Sequence, residues 1–444
     1  MNGAAVDAVI DAESEVAELV SDLIRRNSEN WGDSSETVGE VEVADYVAER
    51  LRECGFSPEV IATTSDKRRA VALRIEGTQP QEPALLVHGH IDVVPAVADQ
   101  WSHPPFAAHV DDDGMLYGRG AVDMKDMDGM ILALARSWGR TGRRPRRTVQ
   151  LLFTPDEEAG GRHGAHWLVA NRQDLFEGVS EAVGEVGGFS ITVNDDLRLY
   201  PIQTAEKGIR WLRLVAKGRA GHGSMINEDN AVTELARAVA KVGAHQWPVR
   251  MTPTVERFLS ELSDAYGIDL DPANIDTALA RLGALSSLVG ATMQNTANPT
   301  MLAAGYKHNV IPTEASACID GRVLPGYEAE FEEQIKALVG ENIEVITDVS
   351  DIPLETGFDG PTIDAMAAAL RAEDSAARPI PYMISGGTDA KAFSTLGIRC
   401  YGFSPLQLPP SLDYWQLFHG VDERVPVSAL QFGVRVLSRF FQSA

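Results

Sequence analysis

The sequence of 444 residues is short of cysteine, of positive charge and of long apolar runs. Its three cysteines are too few and too scattered for a disulfide framework or a thiolate zinc site. Its 64 acidic residues outnumber 39 lysines and arginines, and the resulting net charge of -25 repels phosphate backbones and anionic lipids. No apolar run reaches the roughly 18 residues of a membrane-spanning helix. We therefore expect neither nucleic acid nor a membrane as a partner.

Two local features bear on location and charge. The N-terminal stretch MNGAAVDAVIDAESE is acidic and lacks the basic-then-apolar order of a secretory signal, which predicts a cytoplasmic protein. One basic cluster, RTGRRPRRT at 140–148, runs against the acidic balance. Short charge runs of this kind usually lie in solvated turns, and the cluster is predicted to join a helix to a strand.

The alternation of apolar strands and amphipathic helices predicts an α/β fold. Near-continuous apolar strands indicate a mostly parallel sheet with helices on both faces, built from residues 1–205 and 351–444. Residues 206–350 change to a strand–helix–strand–strand–helix–strand order, which predicts an inserted α+β domain. Within it, the stretch 246–300 has helical patches but no firm predicted structure.

Three consecutive carboxylates, at 156–158, follow the apolar strand TVQLLF. Like charges repel and burial disfavours ionisation, so positive charge should lie beside them. Neighbouring residues of an extended segment point different ways. Of Glu157 and Glu158, one can therefore bind a cation while the other faces a bound water. The alternative is a solvated acidic loop.

Further oxygen and nitrogen ligands follow other strands or precede helices. His90 and Asp92 project to the same side of an extended chain, as a ligand and the carboxylate that orients it. Asp123 lies among glycines before a helix, Glu185 closes an apolar strand, and His419 precedes the last helix. Each alone is also compatible with a packed residue or a helix cap. Together with one of the consecutive glutamates they form a ligand set for two divalent metals. Mixed histidine and carboxylate ligands of this kind suit zinc, cobalt or manganese.

The ordered motifs LLVHGHIDVVP, LYGRGAVDMK, TPDEEAGG, GEVGG, GHGSMINEDNAV, NVIP, DGRVLPG, GGTDAK and HGVDERV extend this pattern. With them the chain resembles the di-zinc metallopeptidase family M-twenty, from about residue 15 to the C-terminus. That family includes aminoacylases, deacylases, carboxypeptidases and dipeptidases. The resemblance implies a catalytic domain formed by 1–205 and 351–444, and a lid domain at 206–350 that mediates homodimerisation.

The resemblance also implies a role for each candidate residue. One zinc would be bound by His90, Asp123 and Glu185, and the other by Asp123, Glu158 and His419. Glu157 would be the general base and then the acid, Asp92 would orient His90, and a cis peptide would follow Asp123. His222 would stabilise the oxyanion. A substrate carboxylate would be bound by Arg322, Asn309, Gly386, Gly387 and Thr388.

The chain departs from the family pattern at two places. Asp126, Met127 and Asp128 stand where the family usually has glycines, which adds negative charge after Asp123. The stretch 246–300 enlarges the lid domain.

These observations predict an enzyme with two divalent metal ions per chain, zinc before cobalt or manganese. Its reaction would be cleavage of an amide bond beside a free carboxylate in a small peptide, as in a dipeptidase or carboxypeptidase. The alternative is an N-acyl-amino-acid amidohydrolase, which acts on N-acyl amino acids with the same machinery. A non-catalytic metal-binding protein is a third hypothesis, against which the presence of Glu157 argues because binding alone needs no base.

Overall fold

The computed structural model describes residues 3–270 and 285–444, so part of the stretch 246–300 lies outside the described residues. The contacts within the chain divide it into two units. The first comprises Met1–Gln203, Thr356–Ile380 and Thr388–Ala444, and the second comprises Thr204–Glu355 and Pro381–Gly387. The change in the order of strands and helices along the sequence predicts boundaries at 205 and 350 and does not separate 381–387 from the catalytic domain.

The described residues contain eleven α-helices. They are α1 (Gly3–Arg25), α2 (Val41–Arg52), α3 (Lys125–Thr141), α4 (Ala165–Asn171), α5 (Ala231–Ala244), α6 (Pro253–Tyr266), α7 (Leu285–Thr292), α8 (Glu328–Val339), α9 (Pro361–Glu373), α10 (Ala390–Ser394) and α11 (Val427–Ser443).

The same residues contain nineteen strands. They are β1 (Glu59–Ala62), β2 (Arg69–Ile75), β3 (Ala84–His90), β4 (His109–Val110), β5 (Met115–Tyr117), β6 (Val149–Thr154), β7 (Val179–Gly184), β8 (Ile191–Asn194), β9 (Leu197–Glu206), β10 (Gly208–Lys217), β11 (Gly221–His222), β12 (Thr296–Ala304), β13 (Val310–Ile311), β14 (Glu314–Val323), β15 (Ile343–Asp351), β16 (Leu354–Glu355), β17 (Ala377–Ile384), β18 (Arg399–Gly402) and β19 (Arg424–Pro426).

The first unit is built on a sheet in which strands follow the order β1-β2-β6-β3-β7-β18. Its centre is parallel, because β3 pairs in parallel with both β6 and β7, and β18 pairs in parallel with β7. The margin formed by β1 and β2 is antiparallel. Every residue of β3 and β6 is buried, as expected for strands covered on both faces. The predicted α/β fold is confirmed.

Helices α1, α3, α9 and α11 form one layer on this sheet, and α4 and α10 form the other. Helix α1 shows why its sequence folds this way, because its apolar side chains recur three and four residues apart. The side chains in this stripe are all buried, namely Val16, Leu19, Val20, Leu23 and Ile24. They pack in the same core as residues of α3 and α11.

The basic cluster at 140–148 lies between α3 and β6, as predicted, but it is not simply solvated. Arg147 is buried, and its Nη1 donates to Glu181 Oε2 at 2.6 Å. Arg140 pairs with acidic side chains of α1. Because neighbouring carboxylates neutralise these two guanidinium groups, neither is a free cationic group at the surface.

The second unit contains an antiparallel sheet of order β12-β14-β10-β15, on which α5 packs, with α8 against α5. The short strands β11 and β13 pair separately and place His222 opposite Val310. This is the α+β arrangement expected for the inserted domain. No helix among the described residues is long and apolar enough to cross a bilayer.

Candidate metal centre

The polar residues predicted from strand ends meet at one edge of the parallel sheet. His90 is the last residue of β3, Glu185 directly follows β7, and Glu157 and Glu158 begin the 3-10 turn after β6. Because these three strands are parallel neighbours, their carboxyl ends lie side by side, where ligands of open α/β sheets usually bind.

The first ligand group consists of His90, Asp123 and Glu185, all of them buried. His90 Nε2 lies 2.9 Å from Asp123 Oδ1 and 3.4 Å from Glu185 Oε2. The other ring nitrogen, Nδ1, lies 3.0 Å from the main-chain carbonyl oxygen of Asp92. A carbonyl can only accept, so Nδ1 donates to it. Against its burial, the neighbouring carboxylates Glu185 and Asp123 keep the pKa of His90 well above its ordinary value, and Nε2 donates to Asp123 Oδ1. Loss of the Nε2 proton would leave this nitrogen free to bind a cation.

The second ligand group consists of Asp123, Glu158 and His419. His419 Nε2 lies 3.2 Å from Asp123 Oδ2 and 3.0 Å from Glu158 Oε2. Asp123 thus offers one carboxylate oxygen to each group. In both groups one ligand atom of each residue lies within 4.8 Å of the others. The structure therefore brings together all five side chains predicted as metal ligands.

The donor atoms of both groups fit divalent cations. Each group combines one imidazole with two carboxylates, a mixture suited to zinc and similar metals. Glu158 Oε1 is buried and has no hydrogen-bond partner among the described residues, so one oxygen remains free for a cation. Carboxylates that lie this close together also need positive charge beside them to stay ionised.

The protons that these side chains hold would compete with a cation. Hydrogen bonds to Asp123 and Glu158 raise the pKa of His419 to about 10. Burial raises the pKa of Glu185 to about 8, against the opposing charge of His90. Burial acts in the same direction on Asp123, but hydrogen bonds from His419 and His90 outweigh it and keep the pKa of Asp123 below its ordinary value. Metal binding must displace the imidazole protons, so metal affinity rises with pH.

The Asp92 carboxylate positions a different segment from the one predicted. Its nearest approach to His90 Nδ1 is 3.7 Å, which is too long for a hydrogen bond. Its two oxygens instead accept hydrogen bonds from the main-chain N–H groups of Glu157 and Glu158, each at 3.1 Å. Asp92 thus orients the histidine through its carbonyl and the two glutamates through its side chain.

Asp156, the first of the three consecutive carboxylates, is neutralised by a protein side chain. Arg68 Nη2 lies 3.0 Å from Asp156 Oδ1, and both residues are buried. Arg68 also donates to Asn30 Oδ1 at 2.8 Å, and Asn30 donates to Asp92 Oδ2 at 2.8 Å. This buried network holds the Asp92 carboxylate in place. Sequence reasoning missed Arg68 and Asn30 because each is a single polar residue outside any motif.

Glu157 differs from its neighbours because its carboxylate is unengaged. Among the residues that the structure describes, none donates a hydrogen bond to it. Burial, and then the negative charge of Glu185, raises the pKa of Glu157 well above its ordinary value. A carboxyl group with a raised pKa and free oxygens is suited to accept and return a proton near neutral pH.

The backbone after Asp123 has the cis peptide, Asp123–Met124, that the family resemblance implied. Two carboxylates that depart from the family pattern, Asp126 and Asp128, are buried in the first turn of α3 without hydrogen-bond partners among the described residues. Burial raises the pKa of each well above its ordinary value. Burial therefore favours the uncharged form of both side chains.

Most of the predicted substrate-contacting residues belong to the second unit. His222 is exposed, and its Nδ1 lies 2.8 Å from Ser224 Oγ. The Asn309 carbonyl accepts a hydrogen bond from Gly223 N–H at 3.0 Å, which places Asn309 beside the strand of His222. Gly386 and Gly387 also belong to this unit.

Arg322 and Thr388 each have a partner near in sequence. Arg322 Nε and Nη2 donate to the two oxygens of Asp320 at 2.7 and 3.2 Å. Thr388 belongs to the first unit, where its Oγ1 accepts from Ala390 N–H at 3.1 Å. A substrate carboxylate would have to displace Asp320 or use the other edge of the Arg322 guanidinium.

An α/β sheet whose strand ends carry two ligand groups around one shared carboxylate is the architecture of a metal-assisted hydrolase. A family profile described as "Peptidase family M20/M25/M40" matches residues 86–443. The chain belongs to this peptidase family, and it is a hydrolytic enzyme.

Individual relatives agree with this assignment. The chain is 28% identical to aminoacylase-1 of Sus scrofa over 414 residues, which cover 90% of this chain and 88% of the relative. A metallo-carboxypeptidase of Sulfolobus solfataricus has a similar fold, with a TM-score of 0.72, 18% identity and coverage of 97% of this chain and 99% of the other. A dinuclear metal-binding peptidase of Bacillus subtilis matches with a TM-score of 0.61 and 15% identity, and 97% of each chain is covered.

Proposed function

We propose that the protein cleaves an amide bond beside a free carboxylate with the help of two divalent cations, most simply zinc. The observation that carries this proposal is the position of Asp123, whose two carboxylate oxygens face separate ligand groups. The unengaged carboxylate of Glu157 lies on the same turn as the ligand Glu158. Binding alone would not need this additional base, so the arrangement favours catalysis over metal storage.

The cations would polarise the scissile carbonyl and lower the pKa of the attacking water. Glu157 takes a proton from that water at its free carboxylate and later delivers it to the leaving amine. Asp92 keeps Glu157 in place through the main-chain hydrogen bond already described. His419 and His90 supply neutral nitrogen ligands once their protons are lost.

The remaining roles follow from the family resemblance. His222 would donate a hydrogen bond to the oxyanion, a contribution typically worth about 100-fold or more in turnover. Arg322 would bind the substrate carboxylate, and Asn309 with the loop at 386–388 would surround it. The hydrogen bonds of Arg322 to Asp320 support this role in one respect, because they hold the guanidinium in a fixed orientation.

Two substrate classes share this chemistry, N-acyl amino acids and small peptides. The 28% identity to aminoacylase-1 over most of both chains supports the N-acyl amino acids. The carboxypeptidase of similar fold is only 18% identical, which supports the fold more than the substrate. Both classes present an amide one carbon from a carboxylate, and the side chain and acyl group decide between them.

A panel of N-acetyl amino acids and unmodified dipeptides, each assayed with added zinc, tests the proposal. We expect turnover that requires metal, and substrates with an amidated C-terminus should be much poorer because they lack the charge for Arg322. The ratio of kcat/KM between the two sets identifies the physiological class. Absence of turnover on both sets, with metal bound, would contradict the proposed reaction.

We further propose a homodimer formed through the second unit. Strand β12 is an edge strand that pairs only with β14 among the described strands. It carries the exposed side chains of Met301 and Leu302, and Tyr306 follows at 82% exposure. The opposite edge, β15, carries Glu344 and Asp348, which pair with Lys217 and Arg213, so that edge is charged rather than apolar. An exposed apolar edge without charges is a natural surface for strand-to-strand association.

The cytoplasmic location stays a prediction.

Replacing Leu302 with glutamate tests the dimer. We expect the unchanged protein to elute with twice the chain mass in size-exclusion chromatography with light scattering. The Leu302→Glu variant should elute as a monomer, because charge on each copy would be buried at the contact. The matched control is Val97→Glu, which alters an exposed apolar residue of the first unit. A monomeric unchanged protein at micromolar concentration would rule the dimer out.

A further inference from the structure

Glu423 is a fully buried carboxylate in the segment that leads into β19. Its Oε1 accepts hydrogen bonds from the main-chain N–H groups of Val122 at 2.6 Å and Asp123 at 3.0 Å. Its Oε2 accepts from Gly120 N–H at 3.1 Å and from Arg119 Nη1 at 2.7 Å. Four donors from one loop therefore converge on a single side chain.

The loop that Glu423 contacts carries Asp123, the carboxylate shared by both ligand groups. The segment to which Glu423 itself belongs carries His419, four residues earlier in the chain. His419 has a positive φ of 57°. Residues other than glycine rarely adopt this backbone conformation, and the surrounding structure must hold it in place. The Glu423 side chain is thus a direct connection between the segments of two candidate ligands.

We infer that Glu423 is a positioning residue that fixes Asp123 relative to His419 and thereby sets the affinity for both cations. The inference rests on the proposed function, because it assigns Glu423 a role toward the proposed metal pair. The four hydrogen bonds that the Glu423 carboxyl group accepts hold the main chain of Asp123 at a defined place. Removing such an outer partner of a metal ligand typically costs about 10- to 100-fold in metal affinity.

The alternative is that Glu423 only contributes to folding. Strands β5 and β19 also hold these segments together, through the pairing of Tyr117 with Arg424. If that pairing suffices, loss of the Glu423 acceptor would lower thermal stability without changing metal affinity. The two roles therefore differ in what a substitution does to the folded protein.

A Glu423→Gln substitution in the full chain separates these roles. The glutamine has one acceptor oxygen, so its amide nitrogen must face two of the four donors and leave them without an acceptor. The matched control is Glu181→Gln. Glu181 is also buried, accepts from Arg147 Nη1 at 2.6 Å and Thr362 Oγ1 at 2.7 Å, and lies toward the opposite end of β7 from the metal ligands.

The measurement is a zinc titration of chelator-treated protein against a competing chromophoric chelator, with thermal unfolding of the metal-free forms in parallel. We expect both variants to unfold at lower temperature. Zinc affinity should fall about 10- to 100-fold in Glu423→Gln and stay within about threefold of the unchanged protein in Glu181→Gln.

Unchanged zinc affinity in a folded Glu423→Gln variant would overturn the inference, while the proposed function would stand. Failure of the unchanged protein to bind any of zinc, cobalt or manganese in the same titration would overturn the proposed function and the inference together. If Glu423→Gln does not fold, Glu423→Asp replaces it, because aspartate keeps the charge for Arg119 but is one methylene too short to reach all four donors. Zinc affinity equal to that of the unchanged protein in Glu423→Asp would equally contradict the positioning role.

Discussion

Replacing Glu157 with glutamine is expected to lower kcat by about 10²- to 10⁴-fold, the usual contribution of a general base. The amide has nearly the same shape as the carboxylate but cannot accept the proton of the attacking water. The substitution leaves the ligand oxygens of Glu158 and Asp123 in place. Metal content, measured by mass spectrometry after gel filtration, should therefore equal that of the unchanged enzyme.

The neighbouring substitution Glu158→Gln is the matched control, because it makes the same chemical change one residue later. Glu158 Oε2 faces His419 in the second ligand group, so this variant should lose activity together with one of the two metals. The contrast between the two variants distinguishes a base from a ligand. A Glu157→Gln enzyme with full metal content and more than about a tenth of the original kcat would exclude Glu157 as the base.

The ends of the parallel strands explain why most of the site was predictable. His90, Glu158 and Glu185 each follow a run of apolar residues, and a sheet of parallel neighbours must bring such ends to one edge. The local pattern therefore carried information about distant contacts. Asp123 and His419 lie on loops. Their positions before helices made them candidate ligands, and their place in ordered family motifs assigned each to a metal.

The buried residues that support the site gave no comparable signal. Arg68 reaches Asp156, and Glu423 reaches Asp123, across long separations in sequence. A single polar residue next to an apolar strand does not reveal which distant group it will pair with, since that depends on tertiary packing. The Asp92 carboxylate shows the same limit, because its spacing from His90 suggested one partner and the fold supplied others.

The inserted domain illustrates a different limit. A change in strand and helix order placed its ends at 206 and 350, close to the unit that comprises Thr204–Glu355. The short segment Pro381–Gly387 also belongs to that unit, although it lies far along the chain in a stretch that reads as the α/β domain. Periodicity describes continuous segments, so it cannot assign a few residues at the end of a strand to another unit.

Replacing Asp123 with asparagine is expected to remove both cations from the enzyme. Its Oδ1 faces His90 and its Oδ2 faces His419, so each ligand group depends on one of its oxygens. Asparagine keeps a single acceptor oxygen and no charge, and its amide nitrogen is a poor metal ligand. Affinity should fall by more than the roughly 100-fold upper range for outer partners, because a ligand itself is lost.

Single-group variants make this expectation specific to the shared carboxylate. Glu185 contributes to the first group only and Glu158 to the second only, so Glu185→Gln or Glu158→Gln should each keep about one metal per chain, since the other group is intact. Asp123→Asn should keep substantially less than one. Metal stoichiometry by mass spectrometry, with far-UV circular dichroism to verify folding, tests whether both ligand groups depend on Asp123. If folded Asp123→Asn retains one tightly bound metal while losing the other, then the two groups do not share this residue, and the proposed bridge between the cations is wrong.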